Sequence, residues 1–592
     1  MINLKINGIS VQAEEGTTIL NAAKKVNIKI PTLCYNPDLP PWASCGICVV
    51  RVAGSPKMIR ACTTPVDGSM EGKEIITHDA EIISMRRTVL ELILSNHPND
   101  CLQCPRNGSC ELQTLAAEFG IRESPFTKVM NGLPVDDSSP SVILNPEKCV
   151  RCGRCVTVCQ SVQNVWALEF LGRGIKGKIA SAADAPLNES PCIKCGQCSA
   201  HCPVGAIYER DDTAKVWSAL QNPNLHTVVQ IAPAVRVALA EEFGLEPGTV
   251  FTRKIYAALK RLGFKTVFDT NFSADLTIME EGTELVRRLT EKGSAIPLIT
   301  SCCPAWVDYM EKDCSDMIPN FSTAKSPQQM MGAMIKAYWP DKAGIPAEKV
   351  YSVSVMPCTA KKWETRRNDD MKSAGKLLGK DTGYDVDIVL TTRELARMVK
   401  QAGIDILSLP DEDADNPMGP YTGAGTIFGV TGGVMEAAVR SAYFLVTKKE
   451  LPDVNFKPVR GLDGVKEAEV DFNNGLKIRI AIAHQMGNIA AVLENIRAAR
   501  DAGKEPLYHF VEVMACRGGC IAGGGQPYGA TDEVRSQRTG GLYNDDEKSK
   551  YRCSHQNPFI GQVYKEFLGE PNGHKAHALL HTKYVERELY LK

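Results

Sequence analysis

The 592-residue sequence has almost no charge imbalance: 68 basic against 69 acidic side chains leave a formal net charge of −1 at pH 7. The two signs are interspersed, so no basic face for a nucleic acid and no acidic tail stands out. Long apolar runs are also missing. The most apolar later stretch, "TVVQIAPAVRVALA", is interrupted by Gln230, Pro233 and Arg236 and falls short of the ~20 apolar residues that a membrane span needs. The opening "MINLKINGISVQAEEGTTIL" alternates polar and apolar positions, where a signal peptide would show a basic start and an unbroken apolar core. It reads as a hairpin of a folded domain. The expectation is a cytoplasmic protein with no nucleic-acid partner and no membrane span. No glycine fingerprint for a dinucleotide follows a predicted strand and no flavin motif appears, so a pyridine nucleotide would have to be handled by another subunit.

Cysteine, in contrast, is abundant, with 22 in the chain and fifteen of them before residue 203. In a large chain without a secretory signal these are metal ligands or catalytic groups rather than disulfides. The length suggests three to five domains. Residues 1–78 show short alternating strands punctuated by Gly and Pro, as a small β-rich domain does. "EIISMRRTVLELILSN" has helical apolar spacing and delivers "HPNDCLQCPRNGSC". "VMNGLPVDDSSPSVILNP" is turn-rich and reads as a linker. "CVRCGRCVTVC" and "CIKCGQCSAHC" form an internal repeat. After about residue 217, strand-like runs ("HTVVQIAPAV", "VYSVSVMPC", "IRIAIAH") alternate with helical ones, which predicts a layered α/β domain with largely parallel sheets. Several of these runs end at a cysteine, and the carboxyl ends of such strands are where ligands bind. The last sixty residues are polar and helix-forming, like an appended wrap.

Cys34, Cys45, Cys48 and Cys62 follow C-x10-C-x2-C-x13-C. Four thiolates in this arrangement suit a 2Fe-2S cluster, with zinc as the alternative. The spacing resembles the front domain of the large iron-sulfur subunit of NADH dehydrogenases. His97, Cys101, Cys104 and Cys110, in H-x3-C-x2-C-x5-C, resemble the histidine-ligated 4Fe-4S site of that same subunit. The repeat resembles bacterial two-cluster ferredoxins, in which the fourth cysteine of each run ligates the other cluster. That implies one 4Fe-4S cluster on Cys149, Cys152, Cys155 and Cys202, and another on Cys192, Cys195, Cys198 and Cys159. Together the motifs imply a wire of four clusters whose electrons are consumed in the back half.

Three segments carry the consumer: "TSCCPAWVDYMEK", "VMPCTAKKWE" and "EVMACRGGCIAGGGQP". Cys303, Cys358, Cys516 and Cys520 offer four dispersed thiolates, enough for one cubane cluster, and the glycines let backbone approach a bulky ligand. The residues by themselves stop at a 4Fe-4S site. In order and spacing, however, the three segments resemble the signature motifs of the FeFe (iron-only) hydrogenases. The resemblance implies reversible H2 oxidation and proton reduction at an H-cluster, a cubane sharing one cysteine, here Cys520, with a di-iron unit bearing CO, cyanide and a bridging dithiolate amine. It implies that Lys361 donates to a cyanide and that Met356, Met514, Ala232, Pro233, Gln328 and Phe428 line the pocket. Cys302, adjacent to the ligand Cys303, matches the thiol that passes protons, with Glu281, Ser322 and Glu284 as the relay onward. Read without the resemblance, the two glutamates are a solvated helix face. Cys314 and Cys553 match no motif and read as structural thiols.

The expected architecture is therefore multidomain, α/β and α+β. It comprises a β-grasp-like 2Fe-2S domain (1–78), a His/Cys3 4Fe-4S domain (79–119), a two-cluster ferredoxin domain (139–216), a large two-lobed α/β H-cluster domain (217–531) and a small-subunit-like C-terminal region (532–592). The family resemblance implies ferredoxin, flavin- and NAD(P)-binding partner subunits and hydrogenase maturation proteins as partners. It is compatible with a stand-alone ferredoxin-linked hydrogenase and with a multisubunit, electron-bifurcating complex; the sequence favours the complex. Non-catalytic iron-sulfur assembly relatives lack the di-iron pocket, and H2-sensing relatives carry an added signalling domain and usually lose the relay cysteine. Cys302, Lys361, Met356 and Met514 are all present here, which favours the enzyme.

Overall fold

The computed structural model describes residues 1–473 and 475–590. Its first sheet has the order β2-β1-β5-β3-β4, with β1 at Ile2–Ile6, β2 at Ile9–Ala13, β3 at Val49–Val52, β4 at Met58–Arg60 and β5 at Glu74–Ile76. β1 and β2 form the expected hairpin. Its two-residue turn is Asn7-Gly8, both at positive φ (48° and 81°), which matches the right-handed twist of the flanking strands. Alternation along the hairpin buries Leu4, Ile6, Val11 and Ala13 against the helix Ile19–Lys24, whose start is capped by Thr18. The long helix Ala80–Ser95 begins where Asp79 accepts from the Ile82 N–H at 2.8 Å. It is pinned to the sheet by Arg86, which donates to the Val49 carbonyl. Its carboxyl end presents His97.

The next unit is small. β6 (Val142–Leu144) pairs antiparallel with β9 (Ile207–Glu209), and β7 (Glu169–Leu171) with β8 (Lys178–Ala180). The two copies of the cysteine repeat fold alike: Gly153 and Gly196, at φ 79° and 71°, each turn the chain into a short helix, Arg154–Thr157 and Gln197–His201. A left-handed residue at both sites is available to glycine without strain.

The largest unit is built on two four-stranded sheets. One is wholly parallel, in the order β11-β10-β13-β14, from β10 (His226–Ile231), β11 (Thr266–Asp269), β13 (Val350–Met356) and β14 (Ile388–Thr391). The other, β12-β17-β16-β15, is parallel across β12 (Leu298–Ile299), β17 (Phe510–Met514) and β16 (Lys477–His484), with β15 (Val465–Asp471) antiparallel at its edge. The parallel strands are largely buried on both faces, which are covered by helices, as crossover connections require. The chain leaves β12, β13 and β17 at their carboxyl ends and runs into the Cys302-Cys303, Cys358 and Cys516 loops. Two lobes therefore point three cysteine loops at each other.

The C-terminal segment wraps this unit. Its helix Asp532–Lys548 lies against the helix Gly423–Ile427, while Ile560, Val563, Leu579 and Leu580 fill one core with Met330, Met331 and Met334. The clamp is ionic: Asp546 receives Arg440 twice, at 2.9 and 3.0 Å, with both side chains fully buried, and Arg552 as well. Cys314 and Cys553 are buried, in keeping with structural thiols. Among the described residues no helix is long and apolar enough to cross a membrane.

Removing one partner of a buried ion pair leaves an uncompensated charge, which costs about 3–5 kcal/mol. Asp546→Ala is therefore expected to lower the unfolding midpoint of the anaerobically purified chain steeply and to loosen the segment after residue 548 toward limited proteolysis. An unchanged midpoint and digestion pattern would remove the clamp from this account.

Candidate active site

The loops after β12, β13 and β17 meet at one cavity of about 80 Å3. A single water needs only ~10–15 Å3, and close-packed interiors leave few voids of this size. Cys302, Cys303, Cys358, Cys516 and Cys520 line it, together with Ala232, Pro233, Gln328, Met356, Lys361, Phe428 and Met514. Every pocket residue expected from the motifs is thus in one wall. Local geometry explains the placement. Pro304 occupies the first turn of the helix Pro304–Asp313, so Cys303 sits at that helix's N-cap. Gly519, at φ 95°, has room for no side chain: a Cβ there would lie 2.7 Å from the Thr431 nitrogen and 2.8 Å from the Met514 sulfur. A Cβ on Gly523 would lie 2.2 Å from the Pro357 oxygen.

The donor set fits a cubane. All 22 cysteines are free thiols. Burial, reinforced by neighbouring thiols, pushes Cys358 and Cys520 up to about 12 and holds Cys516 well above its ordinary range, and burial alone raises Cys303. The single Lys361 ammonium in the wall does not offset burial, so four thiolates around this apolar cavity need the charge of a metal. The H-cluster's iron would supply that charge.

Lys361 enters the same wall. Burial pulls its ammonium down, but Glu364 outweighs this and leaves it raised. It donates to Glu364 Oε2 at 2.9 Å and to the Cys302 carbonyl at 3.1 Å. The same carboxylate oxygen accepts from Gln328 and Ser326, each at 3.0 Å, and Gln328 is held in turn by Ser354 at 2.8 Å. Glu364 therefore positions both the lysine and the glutamine. It escaped the motif reading, although its i, i+3 spacing from Lys361 was a usable signal.

Glu281 and Glu284 lie on the helix Asn271–Thr290 and are 0% and 1% exposed. The solvated-face reading is thereby corrected: this face turns inward, toward the Ser301–Cys302 backbone and Ser322. No hydrogen bond of good geometry reaches either Glu281 oxygen, although Ser322 and the Ser301 backbone lie close enough to lower its carboxyl somewhat. Desolvation, and then the Glu284 charge, push its carboxyl up to about 8. Cys302 is raised well above its ordinary value by burial and then by Glu281. Ser322 donates to Glu284 Oε2 at 3.0 Å, and Glu284 Oε1 accepts from Arg288 at 2.7 Å. Arg288 continues to the Pro319 carbonyl near the surface. Its i, i+4 position relative to Glu284 was legible but unread. Glu512 was missed too. Buried on β17, it accepts from the Gly432 and Met435 N–H groups at 2.6 and 2.7 Å and anchors the helix Gly433–Thr447 beside the cavity.

Three further thiol groups assemble in the front half. Cys34 hydrogen-bonds with Cys45 and Cys62, and Cys48 lies 3.4 Å from Cys62, so all four sulfurs of the first motif are together. Cys149, Cys152, Cys155 and Cys202 line one cavity; Cys159, Cys192, Cys195 and Cys198 line another. This is the crossed grouping that the repeat implied. Burial, and to a lesser degree the neighbouring Cys104, raises Cys110, and His97 Nε2 is buried with no partner, while Asn99 Oδ1 lies 3.3 Å from Nδ1. If Nδ1 carries the proton, Nε2 offers a lone pair to a metal.

The family profile "Iron only hydrogenase large subunit, C-terminal domain" matches residues 225–524, and "Iron hydrogenase small subunit" matches 532–587. In front of them, "2Fe-2S iron-sulfur cluster binding domain" matches 1–74, "NADH-ubiquinone oxidoreductase-G iron-sulfur binding region" 86–125 and "4Fe-4S dicluster domain" 148–207. The chain is 47% identical over 599 residues to the NADP-reducing hydrogenase subunit HndD of Solidesulfovibrio fructosivorans, covering 99% of each. It is 40% identical to iron hydrogenase 1 of Clostridium pasteurianum, over 99% of this chain and 100% of that protein. A solved variant of [FeFe]-hydrogenase HydA1 from Chlamydomonas reinhardtii superposes with a TM-score of 0.56 at 42% identity, over 64% of this chain and all of that one.

The buried carboxyl of Glu281 makes a separate prediction. Its folded value, about 8 against the ordinary 4.5, means that the folded chain holds this proton more tightly. The stabilisation is complete at low pH and is lost as pH rises through about 8. Relative to Glu281→Gln, the wild-type thermal midpoint is expected to fall between about pH 5 and about pH 8; parallel curves would show that Glu281 is not buried as described.

Proposed function

The chain belongs to the FeFe (iron-only) hydrogenases, and from that premise we propose a division of labour among its residues. The enzyme oxidises H2 and reduces protons reversibly. Cys303, Cys358, Cys516 and Cys520 hold the cubane of the H-cluster, with Cys520 as the ligand shared with the di-iron unit. When bound, that group supplies the two-electron chemistry of H2. The observation that carries this reading is the convergence of these four thiols, Cys302 and Lys361 on one apolar cavity.

Lys361, oriented by Glu364, presents a cation for the cyanide groups, and Glu364 is the anion that makes so deeply buried an ammonium stable. Met356, Met514, Phe428, Ala232 and Pro233 keep water out and grip a cofactor held by few bonds, a use suited to soft thioethers. Cys302 takes its proton from Glu281, whose carboxyl, raised toward neutrality, can both hold and release one at working pH. Ser322, Glu284 and Arg288 connect it to the surface.

Electrons travel through four accessory clusters: a 2Fe-2S cluster on Cys34, Cys45, Cys48 and Cys62; a 4Fe-4S cluster on His97, Cys101, Cys104 and Cys110; and the two crossed 4Fe-4S clusters of the ferredoxin unit. We assign the accessory-cluster domains to 1–78, 79–119 and 139–216, the H-cluster domain to 217–531 and the appended region to 532–592. The likeness to an NADP-reducing hydrogenase subunit supports NAD(P)-binding, flavin-containing partner subunits, with ferredoxin as a further electron carrier. The di-iron unit needs dedicated maturation proteins, and free thiols in this number suit the cytoplasm.

Cys302→Ser is expected to keep nearly all its iron while losing most H2 turnover, because a hydroxyl is a far weaker acid than a thiol. Near-wild-type evolution in that variant would sink the relay. Cys303→Ser should lose or distort the cubane, so an unchanged infrared CO and cyanide spectrum argues against the ligand assignment. Anaerobic purification from the native host should bring down flavin-containing subunits and yield H2-dependent NAD(P) reduction that requires ferredoxin. A lone chain that reduces only ferredoxin with H2 would overturn the multisubunit reading.

A further inference from the structure

The loop that carries Cys192, Cys195 and Cys198 packs against the Cys358 loop and the 516–524 loop that wall the cavity. Gly196 and Gly524 stand back to back: a Cβ on Gly524 would lie 2.5 Å from the Cys195 oxygen and 2.7 Å from the Gly196 Cα, and one on Gly196 would meet Thr359 Oγ1 at 2.3 Å. Thr359, next to Cys358, donates to the Lys194 carbonyl at 2.8 Å. The Lys194 ammonium is paired with Asp308 at 2.7 Å, and both side chains are at most 2% exposed. Within this seam the buried amide of Gln197 reaches across, its Nε2 lying 3.2 Å from Cys516 Sγ and 3.1 Å from the Ala522 carbonyl. A carbonyl can only accept, so Ala522 fixes which end of the amide faces the sulfur: it is the NH2 group, with one hydrogen for each partner.

We propose that Gln197, a residue of the neighbouring cluster's own loop, is a positioning residue for the H-cluster, donating a hydrogen bond to the Cys516 thiolate that raises the reduction potential of the cubane. Reduction adds negative charge to the sulfurs, and a fixed donor stabilises that charge more than it stabilises the oxidised form. Because the donor is carried between Cys195 and Cys198, any shift of the ferredoxin loop also alters the donor at the cubane. The inference rests on the proposed assignment of Cys516 as a cubane ligand.

The test is a potentiometric titration of the matured holoenzyme followed by electron paramagnetic resonance. In Gln197→Leu the cubane midpoint should move to a more negative potential, by an amount equivalent to about a tenfold change in its reduced-to-oxidised ratio (~59 mV for one electron). The Cys34-set and His97-set midpoints should stay in place. Gln197→Glu, whose ionised carboxylate cannot donate, should shift the same midpoint in the same direction, and more so as pH rises. A cubane signal with an unmoved midpoint in either variant overturns the role of Gln197. If neither variant loads its clusters, wild-type enzyme labelled with 15N-glutamine decides: a nitrogen coupling to the reduced cubane supports the bond, and its absence overturns it. Wild-type holoenzyme with no cubane signal at all would instead sink the ligand assignment.

Discussion

A thiol buried away from any cation stays protonated, and the architecture follows from relieving that constraint. The chain places four thiols around one cavity in the catalytic unit and pulls together three more ligand sets in front of it. In the catalytic unit burial raises Cys303, Cys358, Cys516 and Cys520 alike, so iron has to arrive for them to ionise together, and the free energy of cluster binding is also free energy of folding. Anything that spreads the thiols apart weakens both. The rest of the molecule is arranged to stop them spreading: two lobes with their cysteine loops facing, glycines where no side chain fits, and a C-terminal wrap tied down by Asp546 and Arg440.

The same low-dielectric interior that raises the thiols makes the other polar groups of the site effective. Glu364 holds Lys361 and Gln328 together, and burial, then the Glu284 charge, raises the Glu281 carboxyl to about 8. A carboxylate in water would do neither, since its proton would leave below pH 5. Proton and electron paths approach the cavity from different sides. The proposed relay would leave through the helix Asn271–Thr290, whereas the ferredoxin unit meets the catalytic unit where Gly196 and Gly524 stand back to back. Cys302 and Cys303, adjacent in sequence, face these two duties separately.

Legibility varied with distance along the chain. The hairpin at Asn7-Gly8, the helix behind Asp79 and the two cysteine repeats were readable because a few neighbouring residues fix their geometry. Glu364 and Arg288 were also within reach, being one helical turn from residues already marked, yet helix spacing shows a partner only once the helix is known to face inward. Glu281 and Glu284 show the limit: the same spacing describes a solvated face and a buried one, and tertiary packing decided for the buried one. Gln197 was illegible, since its partner Cys516 lies hundreds of residues away.

The sequence by itself determined the inventory of ligands, the strand and helix alternation and, through its motifs, the hydrogenase family. These are properties of local spacing, where a C-x2-C pair or an alternating run has few conformations open to it. Only the tertiary structure decided which thiols share a cavity, which carboxyls are buried and which loop of one cysteine set touches a cysteine of the next. Those outcomes depend on two sheets, a ferredoxin unit and a C-terminal wrap meeting at one point, and burial, which sets every charge there, exists only once they have met.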